Sequence, residues 1–234
     1  MAGHSKWATT HRHKAVMDAK RGAVFTKLGN LIAIAARNGT DPVMNPGLAM
    51  AIEKARQANM PNDNIKRAIA RVADKGAAQM IEETYEAYGP GGVGIIVEVA
   101  TDNKNRTFPE VRSVLTKNGG RIADPGSVMF QFKRRGVIVV EGVGEEVLLG
   151  VLDAGAEDAE EEEGEMVVYT DMKDLARVRQ GVLDAGLVVK SAELQYVPDV
   201  MVVVADEEMG EKLTRVLELL EDHDDVTGVY TNAE

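Results

Sequence analysis

The side chains of this sequence best suited to chemistry are cations. His4, Lys6, Arg12, Lys14, Lys20, Arg21 and Lys27 crowd the N-terminal stretch, with Trp7, His11 and His13 among them and only Asp18 opposing. Such a stretch offers charge-assisted contacts to phosphate, and its apolar content before Phe25 is too thin to offset the entropy of ordering. Residues 1-23 are therefore expected to form a basic, flexible tail that gains structure on a phosphate surface. Arg67, Arg71 and Lys75 follow at four-residue spacing, which on one helix makes a basic stripe opposite Ile65, Ile69 and Val72. Lys104 and Arg106, in the polar run Thr101–Thr107 between a strand and a helix, are two further candidates for phosphate.

Other chemistries fare poorly. Gly89–Gly94 spells G-x-G-x-x-G, but it leads into a strand, whereas a dinucleotide loop follows a strand and opens a helix. It reads as a glycine-rich turn. His11-x-His13 lacks partner ligands, and the absence of cysteine removes thiolate metal sites, disulfides and a cysteine nucleophile. His223 stands among Glu221, Asp222, Asp224 and Asp225, with nothing resembling a nucleophile and its oriented base. Thr107-x-x-Glu110, with Pro109 between, fits a capping box that starts a helix. No cofactor, no metal and no enzymatic activity are expected.

Charge is distributed unevenly. Residues 1-75 carry 13 Lys/Arg against 5 Asp/Glu, and residues 76-234 carry 14 against 33, within a net charge of −11. Opposite signs in two segments suit separate partners, and the basic front is the candidate nucleic-acid face. The block Glu157-Asp158, Glu160 through Glu163 and Glu165 reads as a solvated, self-repelling loop that would orient the basic end inward on a phosphate backbone. With 4% aromatic residues, an extensive base-stacking surface is not expected. No run reaches bilayer length, and the chain reads as a cytoplasmic monomer without a membrane partner.

The elements that must hold these residues change in rhythm along the chain. Phe25, Leu28, Ile32 and Ala36 mark one helix with Gly39 as its stop. Asn45-Pro46 caps a second helix buried through Leu48, Ile52 and Ala55, and Pro61 opens a third. Residues 24-76 thus read as a three-helix domain. Beyond Gly76, strands are expected at Ile95–Ala100, Val128–Phe132, Val137–Val140, Val167–Tyr169, Leu187–Val189, Val200–Val204 and Val226–Tyr230. Helices are marked by Phe108, Val111 and Leu115, by Val147 and Val151, by Leu175, Val178 and Val182, and by Leu213, Val216 and Leu220. Residues 135-197, with a weak strand near Gly155, follow the order of a ferredoxin-like unit. The reading is an α+β multidomain chain: a helical N-terminal domain, an α/β domain of residues 77-134 and 198-234, and a ferredoxin-like α/β domain, 135-197, inserted in it. Turns at Gly76 and Gly89–Gly94 would let the basic domain swing.

Several stretches in order closely resemble the YebC/PmpR family, whose eukaryotic relatives include the translational activator of mitochondrial cytochrome oxidase. They are Met1–Trp7, Asn59–Ile65, Tyr88–Val93, Thr101–Thr107, Gly126–Val128, Asp153–Asp158 and Val229–Asn232. The resemblance spans nearly the whole chain. It implies a helical domain followed by two α/β domains, no catalytic residues, and one of two functions. The first is DNA-binding transcriptional regulation. The second is a ribosome-associated, ribosomal-RNA-binding translation factor that helps synthesis through proline-rich stretches. Thr9-Thr10-His11 departs from the family's Asn-Ile-Lys, trading a lysine for a pH-sensitive histidine, and Arg121-Ile122 replaces a common Asn-Leu or Asn-Met, adding a positive charge.

Overall fold

The computed structural model describes residues 21–73 and 79–234. These form two compact units. One holds the described residues up to Gln131 together with Pro198–Glu234, and the other is Phe132–Val197.

In the first unit, three helices precede the sheet: α1 (Arg21–Ala36), α2 (Pro46–Gln57) and α3 (Asn62–Ala70). The apolar spacing read above sets their packing, since Leu28, Ile32, Ala36, Leu48, Ile52, Ala55 and Ile65 share one core. Asn45 caps α2 by accepting the Leu48 amide at 3.1 Å, with Pro46 in the first turn. Val72, expected on the packed face, is exposed, because α3 stops at Ala70 and Arg71–Ala73 continue as a 3-10 turn.

The sheet of this unit is built from β1 (Ile81–Tyr88), β2 (Gly94–Thr101), β3 (Arg121–Ile122) and β8 (Val226–Thr231), in the order β3-β1-β2-β8. Helices α4 (Lys104–Lys117) and α7 (Glu207–Glu221) bury Val111, Leu115, Leu213, Val216, Leu217 and Leu220 against Ile95, Val97 and Val99. Each such side chain contributes about 1.5–3 kcal/mol of burial. β1 escaped the sequence reading because Glu82, Glu83 and Glu86 interrupt its apolar residues. The Val128–Phe132 stretch, expected as a strand, turns instead: Met129–Gln131 is 3-10, and a strand starts only at Phe132. Val200–Val204 contributes only a bridge, Val202 to Ala233. Gly89–Gly94 is the β1–β2 hairpin connection, with Gly91 and Gly92 both at φ 78°. It therefore works inside one domain, and is no hinge between two.

The second unit runs β4 (Phe132–Glu141), α5 (Glu145–Asp153), β5 (Asp158–Glu162), β6 (Glu165–Asp171), α6 (Leu175–Asp184) and β7 (Val189–Pro198). Its order β5-β6-β4-β7 is that of a ferredoxin-like sheet. The acidic block is no loop. Its residues form edge strand β5, paired to β6 from Asp158–Tyr169 to Glu162–Glu165 and closed by a two-residue turn. Both turn residues, Glu163 (φ 49°) and Gly164 (φ 86°), have the left-handed geometry that such hairpins require. Charged side chains on an edge strand also discourage pairing with another chain. Burial, with Asp158 and Glu162 nearby, pushes the Glu160 carboxyl above the usual carboxylate range.

Candidate functional site

The Thr101–Thr107 run turns the end of β2 into α4, and a buried carboxylate organises it. Asp225 Oδ2 accepts from Arg106 Nη2 at 2.7 Å, from Thr107 Oγ1 at 2.6 Å and from Thr101 Oγ1 at 3.1 Å. Burial alone would favour the neutral acid. The guanidinium and two hydroxyls outweigh it and hold Asp225 below the usual carboxylate range, while Asp225 raises Arg106 in return. The expected capping box is overturned here. α4 starts earlier, at Lys104, capped by the Asn103 side chain on the Arg106 amide at 3.2 Å, and Thr107 is buried in the network. The Asp225 amide donates to His223 Nδ1 at 3.1 Å, which leaves the neutral ring's proton on Nε2, 3.0 Å from Glu110 Oε2.

The helical residues join this network from the other side. Arg71 Nη2 lies 3.3 Å from Asp102 Oδ2, and its Nη1 is 3.4 Å from Asn30 Oδ1. Asn30 donates in turn to the Ala100 carbonyl at 3.3 Å. Lys27 donates to the Glu221 carbonyl at the end of α7. The result is an open cleft of about 770 Å³ whose walls carry Asp102, Glu110, Asp222, Asp224 and Asp225 against Arg71, Arg106 and His223. Its excess of carboxylates repels phosphate. Arg71 and Arg106, each still partly exposed, are paired here with Asp102 and Asp225.

The remaining candidates are scattered. Arg67 folds back on its own helix, donating to the Asp63 carbonyl at 3.4 Å and to the Asn64 side chain. Arg71, the C-cap of α3, keeps right-handed helical angles and its amide reaches the Arg67 carbonyl, so the two lie one turn apart. Lys104 Nζ is exposed, 4.0 Å from Glu83 Oε1, beside an edge-to-face pair of Tyr85 and Phe108. Arg21 opens α1. His4, Lys6, Trp7, Arg12, Lys14, Lys20 and Lys75 lie outside the described residues, as do His11 and His13. Among the described residues, no cluster of three His, Asp or Glu side chains is arranged to hold a metal.

One constellation was missed by the sequence reading. Glu86, buried on β1, accepts backbone N–H groups from Gly126 at 2.5 Å and from Val128 and Met129 at 2.7 Å. Burial opposes its charge, but the three amides prevail and lower its pKa. The pinned turn exposes the next residue, Phe130, to 74%. On the same turn the Ser127 carbonyl accepts from the Tyr88 hydroxyl at 2.9 Å, and Tyr88 carries the Arg121 guanidinium 4.4 Å above its ring centroid. A finer charge window would have found this region. Residues 112–135 hold six Lys/Arg and one acid, Asp124, within an otherwise acidic segment whose total masks them.

The described residues form a helical domain followed by two antiparallel α/β sheets, with cations partly paired and partly displayed. The protein's family is defined by likeness along the whole chain. Residues 5–75 match the TACO1/YebC protein N-terminal domain and residues 80–233 the TACO1/YebC second and third domain. The chain belongs to the TACO1/YebC family. A protein of Desulfitobacterium hafniense named "Probable transcriptional regulatory protein" is 46% identical over 100% of this chain and 96% of its own length. One of the same name from Salinispora tropica is 47% identical over 99% of this chain and 95% of its own. The crystal structure of a conserved hypothetical protein from Aquifex aeolicus superposes with a TM-score of 0.87 at 40% identity, covering 93% of this chain and 91% of that one. No described helix is long and apolar enough to cross a membrane.

Proposed function

We propose that this protein is a non-enzymatic, nucleic-acid-binding regulator of gene expression, acting as a cytoplasmic monomer and, in the first reading, as a DNA-binding transcriptional regulator. The carrying observation is the charge separation: eight excess positive charges lie in residues 1-75 and nineteen excess negative ones beyond. The internal pairing of Arg71 and Arg106 sharpens it, since it leaves the N-terminal residues to meet phosphate. The relatives' name supports regulation of transcription.

The second reading is a ribosome-associated translation factor. It is favoured by the exposed Phe130, because an outward ring suits unpaired bases better than a duplex groove. A test of the common claim replaces Lys14, Lys20 and Arg21 by glutamate, sparing Lys27 because it holds the Glu221 carbonyl. Association with duplex DNA and with ribosomal RNA is then followed against salt. Loss of binding with an unchanged unfolding curve is expected, and undiminished binding would remove the N-terminal cations from the reading. Ultraviolet crosslinking in cells, followed by sequencing of the attached nucleic acid, separates promoter DNA from ribosomal RNA.

A further inference from the structure

Phe130 stands 74% exposed, in contrast to Phe132 two residues on, which is 7% exposed. The ring's position is not a matter of loose chain. Three consecutive anchors hold its turn: the amides of Gly126, Val128 and Met129 all end on the Glu86 carboxylate. On its other side, Gln131 is pinned twice, its carbonyl accepting the Asp199 amide at 2.8 Å and its side-chain oxygen accepting from Asn232 Nδ2 at 2.7 Å. A large apolar side chain is thus displayed on a prepared scaffold.

The turn that carries Phe130 is bonded to an aromatic residue that itself holds a cation. Arg121 lies over the Tyr88 ring at 4.4 Å, and the Tyr88 hydroxyl meets the Ser127 carbonyl at 2.9 Å. Ser127 and Phe130 are three residues apart, so the Cα of Phe130 is within about 10 Å of that of Ser127. Lys117 ends α4 four residues before Arg121. Among the described residues, neither Lys117 nor Arg121 enters a salt bridge, unlike Arg71 and Arg106. An exposed aromatic ring on a turn bonded to a tyrosine that carries an Arg, with a further cation close in sequence, matches the chemistry that captures a single strand: rings for bases, cations for phosphates.

We infer that Phe130, Tyr88, Arg121 and Lys117 form a binding site for unpaired nucleotides, with a base stacked on Phe130 and the adjoining phosphates facing Arg121 and Lys117. This rests on the nucleic-acid reading above and adds a second contact surface to it, in the first α/β domain rather than at the N-terminus. Because the turn is already fixed by Glu86 and Gln131, little further ordering is required when a base arrives.

The test compares the full-length protein with F130A, F130W and R121E. The probes are fluorescein-labelled oligouridylate, oligodeoxythymidylate, and an RNA and a DNA duplex. F130A should weaken single-strand binding roughly ten-fold or more, leave duplex binding unchanged and keep the wild-type unfolding curve, while F130W restores affinity. R121E should reduce the salt slope by about one. Tighter binding of the ribo-oligomer would assign the site to RNA, and of the deoxy-oligomer to single-stranded DNA. Wild-type affinity of F130A for every probe would overturn the site and leave the nucleic-acid reading standing. Failure of the wild-type protein to bind any probe would sink both.

Discussion

The first sheet uses one device near each end, with opposite results for its cations. At the Thr101 end, buried Asp225 gathers two hydroxyls and the half-exposed Arg106 guanidinium, so a positive charge is tied to a carboxylate. Toward the Tyr88 end, Glu86 gathers three backbone amides, and Arg121 stays outside over a tyrosine ring. Both carboxylates are buried and hydrogen-bonded, and both have lowered pKa values. What differs is the donor. A carboxylate satisfied by amides leaves neighbouring cations for a partner, whereas one satisfied by arginine consumes them.

The largest effect should come from Glu86. In Glu86→Ala the amides of Gly126, Val128 and Met129 lose a charged acceptor together, at about 1.5–3 kcal/mol each when not rehydrated. With partial rehydration of the half-exposed turn, a net loss of about 3–5 kcal/mol is expected in denaturant unfolding. A loss under about 1 kcal/mol would show that the turn is held by its own geometry. Asp225→Asn ranks next. It retains an acceptor for the threonines and leaves Arg106 its longer contact to Asp102 at 3.4 Å, and because that guanidinium is half exposed a cost of about 1–2 kcal/mol is expected.

Acid should act on both ends in the same direction. Each carboxylate has its folded pKa below its unfolded value, so each contributes stability that is complete above the unfolded pKa. That contribution is lost as pH falls through the folded pKa. Stability measured from neutral into acid should therefore decline, and the decline should be shallower in Glu86→Gln and in Asp225→Asn than in the wild type. Parallel curves for all three proteins would contradict the assigned pKa directions.

This contrast also explains what was legible in the sequence. The helical core was legible because Leu28, Ile32, Leu48 and Ile52 repeat at helical spacing and are buried at that spacing. So were β2 and β8, from their short apolar runs, and α4, α6 and α7, from apolar residues at one-face helical spacing. β1 and β5 were not, because glutamates occupy their positions, and a strand rich in carboxylates has the composition of a loop. Only the pairing to β2 or β6 makes them strands. The candidate cations were legible as cations, but their use was not. Arg106 and Asp225 lie 119 residues apart, and no local pattern announces that one neutralises the other. Phe130 was read as part of a strand because Val128–Phe132 is apolar, and its exposure follows from the distant Glu86.

The smallest effect provides the sharpest test of the comparison. Arg71 bridges Asp102 and Asn30, but it and Asp102 are each about one-third exposed, so the pair is worth little in water. Arg71→Ala should cost at most about 1 kcal/mol of stability, and the loss should shrink further in salt as screening replaces the lost partner. Nucleic-acid affinity should fall only slightly, because Arg71 is committed to Asp102 and the uncovered carboxylate adds a weak, salt-screened repulsion. A drop of about ten-fold or more with an unchanged fold would place Arg71 on the nucleic acid, and would mean that the Asp102 contact opens when the partner binds.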